Sequence, residues 1–135
     1  MSASQATREL LVEYYAAMES NDPRRYGVYY ADDMRLTFAN SPTITGRDAI
    51  VAAFAEVLGR VRSLHHDLVN VWEQPDGVIV YESVGTWNLF DDTQVSINAC
   101  TVVSVADGRF TDQRIYVDNA PLVAALGAQE MLQDQ

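Results

Sequence analysis

Gln94-Val95-Ser96-Ile97-Asn98-Ala99-Cys100-Thr101-Val102-Val103-Ser104-Val105-Ala106, then Asp107-Gly108, then Arg109-Phe110-Thr111-Asp112-Gln113-Arg114-Ile115-Tyr116-Val117-Asp118: this stretch decides the fold. Both runs are rich in Val, Ile, Thr and aromatic residues, and Asp-Gly between them is strong tight-turn chemistry. The spacing predicts two antiparallel strands. In the first, Val95, Ile97, Ala99, Val103 and Val105 share one face, while Cys100 and Val102 sit on the other. Apolar residues on both faces predict that both faces are covered.

Two further runs precede this pair. Leu64–Glu73 and Val78–Leu89 have the same strand character, and Pro75-Asp76-Gly77 and Asp91-Asp92 supply the turns. The four runs form an antiparallel meander. Ahead of them the period is helical. Leu10, Leu11, Tyr14, Tyr15 and Met18 make one apolar face of a helix over residues 4–20. Asp22-Pro23 opens a short second helix through about Tyr30. Met34–Ala39 reads as a short strand. Thr45-Gly46-Arg47-Asp48 reads as a cap for a third helix that carries Ile50, Phe54, Val57, Leu58 and Val61 and runs through about Arg60. Helices first and a meander after them specify an α+β fold. The N-terminal helices pack in the concave face of a curved antiparallel sheet, a cone-like, cystatin-like α+β barrel whose open end suits a small-molecule pocket. Residues 1–135 are read as one domain, and the polar end, Gln129–Gln135, as a frayed tail.

Composition narrows the function. The net charge is −10, and nine Lys+Arg stand against 19 Asp+Glu, every one of the nine an arginine. Phosphate backbones and anionic membranes need clustered cations, so neither nucleic acid nor a membrane is an expected partner. Without lysine there is no Schiff-base chemistry. Cys100 is the single cysteine, and a chain with two histidines and no thiolate cluster predicts no metal site. No basic–apolar leader and no spanning apolar run are visible, so the chain reads as cytoplasmic and cofactor-free.

Asp118 is the most informative polar residue, because aspartate is depleted in strands. It either caps the turn at Asn119-Ala120-Pro121 or serves as a carboxylate at a pocket mouth, where lost hydration raises its pKa toward acid/base use. Arg114 and Tyr116 share its face in an unbulged strand, and a paired Arg114 would lower that pKa. His65 and His66 point to opposite faces, so one at most enters a pocket. Asn40 either orients a substrate oxygen or forms the turn before Ser41-Pro42. Tyr14, Tyr15, Tyr30, Trp87 and Tyr116 supply rings for a core or a pocket wall.

Three segments carry a family resemblance. Tyr14-Tyr15-Ala16-Ala17-Met18-Glu19-Ser20-Asn21-Asp22, Phe38-Ala39-Asn40-Ser41-Pro42 with Thr45-Gly46-Arg47-Asp48-Ala49-Ile50, and Arg114-Ile115-Tyr116-Val117-Asp118 occur in the order and spacing of the nuclear transport factor two-like superfamily. The chain resembles its SnoaL-like polyketide cyclases and limonene epoxide hydrolases over roughly Ala6 to Leu126. The resemblance implies that Asp118 is the general acid/base of a ring closure and matches Asn40 to an early-strand asparagine; strand geometry adds His66 as a supporting group that could polarise a carbonyl. Read from residue type and position, Tyr14, Tyr15, Tyr30, Phe38, His65, Trp87 and Tyr116 are the candidate binding residues, and likeness to the related ketosteroid isomerases implies Tyr14 or Tyr15 as an oxyanion donor. The epoxide hydrolase set is incomplete, since Phe38 stands where those enzymes have tyrosine and no arginine lies between Ser63 and Gly108. Asn40 likewise replaces the base aspartate of the related ketosteroid isomerases. Two functions follow: a cofactor-independent enzyme on a small hydrophobic metabolite (ring closure, isomerisation or hydration), or a non-catalytic ligand-binding or assembly domain. Both imply a small apolar ligand and a homodimer formed through the outer sheet face.

Overall fold

Asp107 and Gly108 both take positive φ, 54° and 76°, as a two-residue type I′ turn requires. They fold β5 (Gln94–Ala106) back onto β6 (Arg109–Val117). The computed structural model describes residues 3–133. Ahead of this hairpin lie α1 (Gln5–Glu19), α2 (Pro23–Tyr26), a 3₁₀ turn at Gly27–Tyr29, β1 (Tyr30–Phe38), β2 (Ile44–Thr45), α3 (Arg47–Leu58), β3 (Ser63–Glu73) and β4 (Val78–Asn88). After it comes α4 (Ala120–Gln133).

One six-stranded sheet runs in the order β2-β1-β6-β5-β4-β3. β3 to β6 form the expected antiparallel meander. β1 joins the far edge parallel to β6, with Leu36 opposite Gln113 and Phe38 opposite Ile115. Period-2 patterning does not encode that long-range parallel pairing. Register shifts at Leu68/Asn70 and Ser104/Val105 mark the irregularities that bend a sheet. α1 and α3 lie in the resulting concavity, and the core there is built from Leu11, Tyr14, Met18, Met34, Ile50 and Phe110. Among the described residues no helix is long and apolar enough to cross a membrane.

Local corrections have local causes. The second helix stops at Tyr26, although Asp22 caps it by accepting from Arg24 N at 3.0 Å. Tyr30 belongs to β1, which pairs it with Phe110. Thr45 is not a helix cap, because it pairs with Arg35 in β2. Gly46 takes the cap position at φ 101°, a conformation that favours glycine. The predicted tail is helical as far as Gln133. Gln129 is buried: its Oε1 accepts from Phe90 N at 2.6 Å and its Nε2 donates to Arg60 O at 2.9 Å. Leu122 and Leu126 then pack with Val61, Leu89 and Ile97 in a second apolar cluster. A buried glutamine that satisfies two loop backbones does what a purely apolar stripe could not, and it fastens α4 beside the open end of the cone.

Candidate active site

Alternation along each strand brings one set of side chains to the concave face. β3 contributes Leu64 and His66, β4 Ser83, Gly85 and Trp87, β5 Ile97, Ala99 and Thr101, and β6 Gln113, Ile115 and Val117. With α1, α3 and α4 opposite, they enclose a cavity of about 340 Å³. That lies within the range of small-molecule sites. Met18, Phe54, Leu58 and Leu126 keep the helical side apolar.

The titratable group on this wall is His66, whose side chain is 17% exposed. Its strand partner across the sheet is Gly85. With no side chain there, the imidazole reaches over β4. A Cβ placed on Gly85 would lie 3.5 Å from His66 Nε2 and 3.5 Å from Trp87 Nε1. Nε2 therefore faces the cavity. Glu19, at the end of α1, backs the other side of the ring. It accepts a hydrogen bond from His66 N, and its Oε1 stands 3.6 Å from Nδ1. Burial pushes the Glu19 carboxyl up, but hydrogen bonds from His66 and the charges of His65 and His66 outweigh it, and the pKa lies below the ordinary 4.5. Glu19 is therefore ionised at neutral pH. Tyr15 stacks on the imidazole at 4.2 Å between centroids and 28° between planes. Nδ1 makes no hydrogen bond among the described residues, so the stacked Tyr15 ring and the nearby charge of Glu19 are what orient His66.

The tyrosines act in pairs. Tyr14 and Tyr30 hydroxyls lie 2.7 Å apart, and those of Tyr15 and Tyr81 lie 2.6 Å apart. Burial pushes Tyr14, Tyr15 and Tyr81 above the ordinary 10.0, and Tyr30 likewise. Such hydroxyls stay protonated in the physiological range. They are neutral hydrogen-bonding groups and not bases.

The other predicted site residues divide. Phe38, Tyr14, Tyr15 and Trp87 line the cavity with His66, while Tyr30 lies behind Tyr14. Asp118 does not reach the cavity. It is exposed, and its Oδ1 accepts from Ala120 N at 3.0 Å across the turn into α4. The cause is parity: Gln113, Ile115 and Val117 point inward, so Arg114, Tyr116 and Asp118 point outward. Tyr116 is accordingly 55% exposed on the outer face. Arg114 pairs with Asp112 at 3.3 Å and not with Asp118. Asn40 is exposed beyond the end of β1, and its neighbour Ser41 lines the mouth. His65 faces out and contacts Asp67 at 3.1 Å.

Sequence reasoning missed Glu19, Gly85, Ser83, Thr101 and Gln113. The β5–β6 register shifts between Phe110 and Asp112, so counting by twos from the buried Phe110 would have turned Asp118 inward; the inward set starts afresh at Gln113. Glu19 left no such signal, since only the packing of α1 across β3 brings it to His66. Among the described residues, no three of His, Cys, Asp and Glu converge as a metal would require.

A family model described as the SnoaL-like domain matches residues 11–113. No curated protein matches the chain. Solved structures match its fold. A candidate SnoaL-like polyketide cyclase from Jannaschia sp. CCS1 aligns with a TM-score of 0.77 at 15% identity, over 95% of this chain and 98% of that one. A candidate isomerase from Bacillus subtilis aligns with a TM-score of 0.78 at 18% identity, over 89% of this chain and 91% of the other. A protein of ketosteroid isomerase-like fold from Catenulispora acidiphila, solved with trimethylamine, aligns with a TM-score of 0.72 at 20% identity, over 80% and 84%. At these identities the likeness shows the fold.

Proposed function

The chain belongs to the SnoaL-like domain family, and from that premise we propose that it is a cofactor-independent enzyme moving a proton on a small, largely apolar molecule. The observation that carries this reading is His66, held by Glu19 and Tyr15 with Nε2 turned into the cavity above Gly85. The acid/base role expected of Asp118 passes to His66, because Asp118 faces solvent.

The mechanism follows from the geometry. Glu19 on the Nδ1 side stabilises the imidazolium that forms when Nε2 accepts a proton. The apolar wall excludes water, which strengthens that electrostatic support. A neutral imidazole takes a proton from carbon and returns it to carbon or oxygen, as ring closure and isomerisation each require, or takes one from the attacking water in a hydration. Buried tyrosine hydroxyls offer hydrogen bonds to an oxygen as charge develops on it.

The test needs no knowledge of the natural substrate. 5-Nitrobenzisoxazole is a small aromatic probe: a base takes its carbon-bound proton while the N–O bond breaks, and a coloured cyanophenolate is released. Wild type should accelerate this ring opening. His66→Gln should abolish the acceleration and Asp118→Asn should leave it intact. Full activity in His66→Gln would sink the proposal.

The second reading, a binding domain without catalysis, is favoured by the position of Asp118 and by the small molecule held in the Catenulispora protein. Under either reading the proposed assembly is a homodimer through the outer sheet face. There Val80, Val84, Cys100 and Val102 are half-buried, and Val69 and Tyr116 are exposed. Equilibrium sedimentation measures this directly, and a monomer at micromolar concentration would exclude it.

A further inference from the structure

Besides tyrosine, the buried polar side chains among the described residues are Ser83, Thr101, Gln113 and Gln129. Gln129 is fully used in holding α4. The other three all line the cavity, on neighbouring strands β4, β5 and β6. Thr101 stands opposite Tyr81 in the sheet, and Gln113 stands opposite Val103. They gather at the inner end, whereas Ser41 and Val123 mark the exposed mouth.

Gln113 is the exceptional member. It is 1% exposed, and its Oε1 has no hydrogen-bond partner among the described residues. A buried acceptor left unmade costs free energy, so native proteins seldom keep one without a use. Replacing it by an apolar residue of the same length would remove that cost. We infer that Gln113 is a specificity-determining residue whose Oε1 accepts a hydrogen bond from a hydroxyl on the inner end of the ligand.

The surroundings set the chemical class. Among the described residues no arginine is free on the cavity wall: Arg60, the one that lines it, gives its guanidinium to Glu130. A carboxylate or phosphate would lose its hydration there without a counter-charge. It would also face the unpaired Gln113 oxygen. The tyrosine hydroxyls stay neutral and add donors and acceptors of their own. The ligand class is therefore a neutral, largely apolar compound carrying a phenolic, enolic or alcoholic hydroxyl. This inference rests on the cavity being a ligand site, as proposed above, and goes beyond it in naming the group that is read.

The experiment compares 2-naphthol with 2-methylnaphthalene, which have nearly the same shape and differ in the donor. Dissociation constants are measured by fluorescence for wild type, Gln113→Met and, as a second variant, Gln113→Leu. Circular dichroism and Tm confirm that each variant is folded. Relative to wild type, the ratio of the two constants should move about tenfold toward methylnaphthalene in each folded variant, the effect of one buried hydrogen bond. An unchanged ratio, with both probes binding, overturns the role of Gln113 and leaves the cavity reading standing. If neither probe binds wild type, the cavity reading falls and this inference falls with it.

Discussion

Gly85→Ala separates stability from function at a single atom. Gly85 sits in the middle of β4 between His66 on β3 and Ile97 on β5. Its φ is not in the left-handed region, so alanine meets no backbone strain. The new methyl would find His66 Nε2 at 3.5 Å, Trp87 Nε1 at 3.5 Å and His66 Cδ2 at 3.7 Å, all ordinary van der Waals contacts. Glycine in a strand interior costs roughly 0.5–1 kcal/mol relative to alanine, chiefly through the unfolded chain. The variant should therefore be more stable by about that amount, a rise in Tm of about 2–4 °C. Its chemistry should suffer. A reacting C–H must come within about 3 Å of Nε2, and the methyl occupies that approach. Misplacement of this order costs about 10²-fold in rate. Calorimetry gives the first number and 5-nitrobenzisoxazole turnover the second. A stable variant with the wild-type rate would refute the reasoning, because substrate would then not approach His66 across Gly85. A loss of more than about 1 kcal/mol would show instead that the glycine is there for packing.

Other consequences are as concrete. Tyr15→Phe and Tyr81→Phe each leave a buried hydroxyl without its 2.6 Å partner, and each should cost about 1–3 kcal/mol. The double variant should lose less than the sum, a coupling that urea denaturation of the four proteins measures. Asp118→Ala removes one exposed hydrogen bond to Ala120 N. It should cost about 0.5–1 kcal/mol and leave the rate on the probe unchanged. Glu19 has its folded pKa below the ordinary 4.5. Its contribution to stability is thus present above pH 4.5 and lost as pH falls through the folded value. His65 is shifted the other way, raised by Asp67 and Glu19, so its smaller, solvent-screened contribution is present below about pH 6.5 and lost as pH rises through the folded value. Urea midpoints should decline on both sides of this window, and Glu19→Gln should flatten the acid limb.

The sheet was legible because hairpins are local. Asp107-Gly108 and Pro75-Asp76-Gly77 announce their turns, and β5 begins and ends where its β-branched run does. The parallel partnership of β1 and β6 was not legible, since no turn chemistry encodes a pairing across more than seventy residues. α4 went unread for a related reason. Its apolar residues look like a weak tail until Gln129 is seen satisfying Phe90 and Arg60. Of the residues singled out from the sequence, His66, Tyr14, Tyr15, Phe38 and Trp87 line the cavity, although alternation alone left open which of His65 and His66 would face it. Asp118 was misplaced because parity within a strand does not say which of its two faces is inward, and the register shift between Phe110 and Asp112 breaks the count from the buried Phe110. Parity assigns it to the same outer face as Tyr116 and Arg114. Glu19 depends on helix-to-sheet packing, and Gln113 on which buried oxygen finds no partner. Neither property is written in a local pattern.

The account makes His66 the cavity's reactive group, and the chain has only two histidines. Labelled at Cε1, they give two imidazole signals, assigned with a His65→Gln variant. On titration with 2-naphthol, the His66 signal should move with the binding curve while that of His65, on the outer surface, stays in place. Binding that moves neither signal, or moves only His65, would contradict the account and put the ligand somewhere other than against His66.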